Sequence, residues 1–144
     1  KPSANGVSYI YTEGNYSLVK DVENSPVVER GIMADPSIKQ AKKPDHFGYI
    51  FSGLINVPVE GVYEFYTQTD DGSKLYIDNE LVVDNDTSHA AIVATGRIPL
   101  KKGFHSYRFL YFEDYEGESL NWGWKVPGTT DFTNIPAKSL YITK

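Results

Sequence analysis

From residue 47 to residue 126 apolar and polar positions alternate in short runs broken by turn residues. A period of two is the signature of strands with one face buried, so the chain reads as a succession of β-strands. Phe47–Val57 is β-rich and ends at Pro58, and Glu60-Gly61 turns the chain. Val62–Thr69 is aromatic and β-branched, as strands prefer. Leu75 and Ile77 share a face, and Asp78-Asn79 predicts a tight hairpin turn because both residues tolerate positive φ. Leu81–Val83 returns, Ile92–Ile98 follows, and Leu100–Gly103 turns into the long run Phe104–Phe112. In Ser119–Val126 one face collects Leu120, Trp122, Trp124 and Val126, which assigns both tryptophans to the core rather than to a sugar platform. Pro127-Gly128 is a turn, and Ser139–Ile142 forms a last strand.

The first third is less regular. Val7–Thr12 is strand-like, Glu13-Gly14-Asn15 turns, and a polar stretch runs to Asp45. Within it Asp35-Pro36-Ser37 has the form of a helix start, with Ile38–Ala41 continuing for one or two turns before Pro44. Many short strands and almost no helix predict an all-β fold, a β-sandwich or barrel. No linker, repeat or composition shift divides residues 1–144, so one domain is expected.

Composition narrows the function. A chain of 144 residues buries roughly 68–70% of its unfolded surface and needs no metal or disulfide to fold. Eleven tyrosines dominate a 14% aromatic fraction, and tyrosine suits half-buried sheets and sugar-facing surfaces alike. With net charge −5 and no basic run longer than Lys42-Lys43 or Lys101-Lys102, nucleic acid is not an expected partner. No apolar run approaches the ~20 residues of a spanning helix. The absence of cysteine excludes disulfides, thiol catalysis and thiolate metal sites. The start at Lys1 reads as that of a domain excised from a longer exported chain.

Asp70-Asp71-Gly72 is the sharpest local feature. Residue types alone leave two readings. It is a connecting loop whose carboxylates accept backbone N–H bonds, or a calcium loop, since calcium takes six to eight oxygens from carboxylates and carbonyls. His89, near Asp84 and Asp86, either joins a polar site or hydrogen-bonds its own loop. Acid pairs such as Asp114 with Glu116 and Glu113 with Glu118 exist, but catalysis would need a cleft flanked by two such groups. No Gly-x-Ser-x-Gly and no HExxH is present.

Asp70–Asp84 (DDGSKLYIDNELVVD) resembles the signature hairpin of the protective-antigen-type domain, found in a bacterial toxin component, yeast flocculins and many bacterial glycosidases. Gly61–Phe65, Leu100–His105 and Leu120–Trp124 resemble the flanking strands in the family's order and spacing. The resemblance implies a two-sheet antiparallel β-sandwich, a barrel-like jelly roll, in which, among sugar-binding members, two consecutive aspartates joined by a cis peptide hold calcium and the ion contacts sugar hydroxyls. The matching positions are Asp70 and Asp71, while no Asn ligand aligns to the later loop Glu113–Glu118. Ser88-His89, Thr95–Ile98 and Tyr111–Gly117 are similar to the C-terminal module of bacterial β-N-acetylhexosaminidases.

Two functions follow as expectations. The first is a non-catalytic, calcium-assisted carbohydrate-binding accessory module of an exported bacterial glycoside hydrolase, periplasmic, cell-surface or secreted. Its glycan partner would be met by Asp70, Asp71, Tyr76, His89 and Tyr115, with Asp70 and Asp71 as the metal ligands. Loops Asp70–Ser73, Asp84–His89 and Glu113–Glu118 would then gather at one end of the sandwich. The second is a structural module that packs against the parent's catalytic domain with no ligand of its own, marked by an exposed apolar patch.

Overall fold

The computed structural model describes residues 2–114 and 117–143 and is built of two antiparallel sheets. The larger sheet runs β1 (Pro2–Asn5), β12 (Leu140–Thr143), β4 (Phe47–Val57), β9 (Gly103–Glu113), β6 (Ser73–Ile77) and β7 (Glu80–Asn85). β2 (Val7–Glu13) also pairs with β4 and carries β3 (Glu29–Met33) on its outer edge. The smaller sheet is β11 (Thr133–Asn134), β10 (Ser119–Lys125), β5 (Gly61–Asp70) and β8 (Ile92–Leu100). The Asp78-Asn79 turn between β6 and β7 has φ of 53° and 67°, as its residue types predict.

The core lies between the sheets and is largely aromatic. Odd positions of β4 and β9 face inward, so Tyr49 opposes Tyr111 and Phe51 opposes Phe109. Even positions of β10 meet them from the other sheet: Trp122 stacks on Phe109 at 5.1 Å and tilts against Tyr107 at 5.3 Å. Both tryptophans are core residues, Trp122 at 5% and Trp124 at 3% exposure. β7 and β8 lie against each other, with the Gly96 backbone close to the Val82 carbonyl, which closes the sandwich along one side.

The helical expectation moves. Residues 35–41 form bends and a single turn, with Ala41 N–H donating to the Ile38 carbonyl. Four residues before a proline cannot repay helix nucleation, and Ile38 and Ala41 reach the core individually. The one α-helix among the described residues is α1 (Val19–Glu23). It lays Val19 and Val22 on Leu110 and Phe112, which point to the outer face of β9, and so buries both faces of that strand. Its Val19 N–H donates to Asp86 Oδ1 in the β7–β8 loop, a cap supplied from 67 residues away.

Candidate metal and sugar-binding site

Three crossings between the sheets lie at one end of the sandwich. The chain passes from β5 to β6 through Asp70-Asp71-Gly72, from β7 to β8 through residues 86–91, and from β9 to β10 through residues 114–118. Asp71 ties the three together. Its N–H donates to the Phe112 carbonyl at 3.1 Å, and Phe112 N–H donates back to Gly72 at 3.0 Å. Asp71 Oδ1 accepts from His89 N–H at 3.0 Å and Ser88 Oγ at 3.2 Å, and Oδ2 accepts from Asp114 N–H at 2.6 Å. Ser88 Oγ also lies 3.0 Å from Asp114 Oδ2, so its single proton is shared between the two carboxylates, which joins the second and third loops directly. Beneath them the Thr67, Thr69 and Ser73 hydroxyls and the Asn85 amide form a buried hydrogen-bonded layer.

Glycine is required twice. A Cβ at Gly72 would lie 2.5 Å from the Phe112 ring and 2.7 Å from the Thr87 carbonyl. Gly117 has φ +72°, and a Cβ there would lie 2.8 Å from Asp70 Oδ2.

The peptide between Asp70 and Asp71 is cis. The carboxylates of Asp70, Asp71 and Glu113 bring one oxygen each to within 4.8 Å of one another. Glu113, the last residue of β9, is on the inward face beyond Tyr111 and is fully buried. No N–H or O–H among the described residues reaches either of its oxygens. The Asp45 carboxyl lies beside it, acid against acid, so a hydrogen bond between them exists only while they share a proton. Burial, Asp45 and the charges of Asp71 and Asp70 push the Glu113 carboxyl from its ordinary 4.5 up to about 10. Asp70 is raised by burial and then by Asp71, against an opposing effect of His89. His46 Nδ1 and Ser119 Oγ, next to Asp45 and opposite Asp70 respectively, are also buried without a hydrogen-bond partner among the described residues. Unpartnered polar atoms are rare in folded proteins; besides these, Tyr107 Oη, elsewhere in the core, is one among the described residues.

The site residues named from sequence divide. Asp70 and Asp71 are at its centre. His89 is in the loop that closes on Asp71, but its ring nitrogens lie 2.8 and 2.5 Å from the Asn85 and Ala90 carbonyls, so it reaches the site through its backbone. Tyr76 is away from the cluster, on the outer face of β6 beside the α1 contacts, with Arg108 4.7 Å over its ring. Tyr115 lies outside the described residues. Sequence reasoning gathered the loops Asp84–His89 and Glu113–Glu118 at this end but named none of Ser88, Glu113 and Asp114 individually as a site residue, and it left Asp45 out. The only sequence signal for Glu113 is an acid in phase with the inward residues Tyr107, Phe109 and Tyr111.

The sequence profile of the PA14 domain matches residues 3–137. The chain belongs to the PA14 domain family. No curated protein matches it. Among solved structures this PA14 domain is similar to an anti-sigma factor domain-containing protein, with TM-score 0.82 and 21% identity over 98% of this chain and 48% of that one. It spans about half the length of that relative. It is also similar to the PA14 sugar-binding domain of an RTX adhesin, with TM-score 0.77 and 16% identity over 98% of this chain and 100% of that one. A third likeness is to the epithelial adhesin 9 A domain of Candida glabrata in complex with Galβ1-4GlcNAc, with TM-score 0.73 and 13% identity over 99% and 95% of the two chains. At these identities the likeness is one of fold. No helix among the described residues is long and apolar enough to cross a membrane.

Proposed function

We propose that this PA14 domain is a non-catalytic carbohydrate-binding module that meets its glycan at the Asp70–Asp71–Glu113 end with the help of calcium. The observation that carries the reading is the convergence of three carboxylates, one of which, Glu113, has buried oxygens that no donor among the described residues reaches. The residues fit a hard cation: oxygen-only donors, excess negative charge, and an inner acid whose isolation a cation would relieve. Asp70, Asp71 and Glu113 would hold the ion, and a bound calcium offers open coordination positions to vicinal sugar hydroxyls. Asp114, Ser88 and the His89 backbone hold Asp71 in place, and Asp70, half-buried at the mouth, faces the ligand. The solved sugar-binding PA14 domain and the adhesin–disaccharide complex support the ligand class.

A small open site gives weak affinity. Calorimetric titration of β-galactosyl and β-N-acetylglucosaminyl oligosaccharides, with calcium and with chelator, is expected to give heat only with calcium. Absence of heat with every glycan in both conditions would remove the reading.

The loop residues Ser88-His89 and Tyr111–Gly117 support a parent chain of exported bacterial glycoside hydrolase type, resembling β-N-acetylhexosaminidases, acting in the periplasm, on the cell surface or outside the cell. One observation favours a second role. At the opposite end Val59, Val62 and Phe104 are exposed at 46%, 57% and 43% beside a cleft of about 360 Å³ lined by Val62, Pro99 and Leu100. Such a patch is suited to packing against a neighbouring catalytic domain. Deleting the module from its parent would then lower the parent's thermal stability, and an unchanged melting temperature would argue against this second role.

A further inference from the structure

A cleft of about 450 Å³ opens beside the acidic site, between the 38–44 segment and Glu118, and its chemistry is opposite. Lys39, Lys42 and Lys43 line it, three cations within five residues and no acid among them, on a chain of net charge −5. The segment that bears them is held firmly. Ile38 and Ala41 pack against the core, Lys42 N–H donates to Tyr11 Oη at 3.0 Å, and Gln40 Nε2 donates to Tyr49 Oη at 3.0 Å. Lys42 is committed to Glu29 at 2.8 Å, whereas Lys39 and Lys43, both exposed, form no ion pair among the described residues.

The cleft and the acidic site share a wall. Pro44 lines the cleft and leads into Asp45, the neighbour of Glu113. Glu118 lines it from the other side and follows Gly117, which abuts Asp70.

We propose that this cleft is a subsite for the acidic group of an anionic glycan, a carboxylate or sulfate ester on the sugar next to the one held at Asp70 and Asp71. The inference rests on the sugar-binding reading above and names its substrate class. Lys39 and Lys43 supply two mobile ammonium groups to one anion, and the hydroxyl-binding and anion-binding ends give the ligand a direction.

The test is titration of the whole chain, in calcium, with three matched oligosaccharides: neutral, capped with a uronic acid, and sulfated at the same terminal sugar. The anionic forms are expected to bind about three- to tenfold tighter than the neutral one at low salt, with the advantage fading at high salt. Comparing uronate with sulfate separates the two anion sources. In Lys39→Gln/Lys43→Gln, whose melting curve confirms folding, the affinity for the anionic forms is expected to fall to that of the neutral form. Neutral sugar bound as tightly as acidic sugar overturns this proposal and leaves the sugar reading standing. A preference for anions that survives the double substitution also overturns it. Failure of all three ligands to bind overturns both readings.

Discussion

Replacing Glu113 by Gln tests the site without removing a side chain. The amide keeps the shape, cannot ionise, and can donate to the adjacent Asp45 carboxyl. In the native protein Glu113 holds its proton up to about 10, whereas in the unfolded chain it releases it near 4.5. An acid raised by folding binds more protons in the native state over that whole window, so native stability falls as pH rises through it. The slope is about 1.4 kcal/mol per pH unit, which sets a ceiling of about 3 kcal/mol between pH 5 and pH 7. The pocket opens to solvent at Asp70, and screening there reduces the expected loss to about 1–2 kcal/mol. For a chain of this size that is about 3–8 °C in Tm. Thermal unfolding in chelator at pH 5 and pH 7 is therefore expected to show a steeper fall for the native protein than for Glu113→Gln. Asp70 and Glu118, also raised, leave a residual slope of the same sign in the variant. With calcium present the order reverses: the native protein gains the greater Tm increment, since a ligand at 100 times its Kd adds about 2.7 kcal/mol. Parallel pH curves in chelator, together with equal calcium increments, would refute both the raised Glu113 carboxyl and its role as a ligand.

Two further substitutions separate scaffold from site. Asp86→Ala removes the acceptor for Val19 N–H and is expected to cost about 1 kcal/mol by urea denaturation while calcium-dependent stabilisation persists. Gly117→Ala puts a Cβ 2.8 Å from Asp70 Oδ2 at a φ of +72°; it is expected to cost about 1–2 kcal/mol of stability and to reduce the calcium-induced Tm shift, measured by differential scanning calorimetry.

The strands were legible because their signal is local. In β5, β9 and β10 each inward residue is decided by parity with its neighbours, and Tyr63, Phe65, Tyr107, Phe109, Trp122 and Trp124 are all buried accordingly. The family resemblance supplied the two-sheet arrangement, which alternation alone does not distinguish from a barrel. The helix was misplaced because its signal is not local. Asp35-Pro36-Ser37 has the residue types of a start but too little chain before Pro44. Val19–Glu23 is marginal by itself and forms because Asp86 caps it and Leu110 and Phe112 receive its apolar side. The apolar even positions of β9 were a trace of that covering, since an outer face left to water would not carry Leu and Phe at 110 and 112.

The site follows the same division. Asp70 and Asp71 could be read because they are adjacent, and two neighbouring carboxylates invite the question of what they share. Glu113 is 42 residues on, and its meaning depends on three facts no window of sequence contains. β9 ends where β5 ends, the inward parity of Tyr107, Phe109 and Tyr111 continues to Glu113, and the 34–46 segment brings Asp45 against it. Each alone is unremarked: an inward strand end, an acid in an acidic loop, an aspartate after a proline. Together they put an acid into the core with no N–H or O–H donor among the described residues, an environment that keeps it protonated and that a cation would relieve. Tyr76 shows the converse. Its nearness to the aspartates in sequence was real, but β6 is pleated, and the pleat carries its ring to the outer face under Arg108. Proximity along a strand therefore counts for the site only at the crossing itself, where the chain leaves one sheet for the other and parity no longer assigns the side chain to a face.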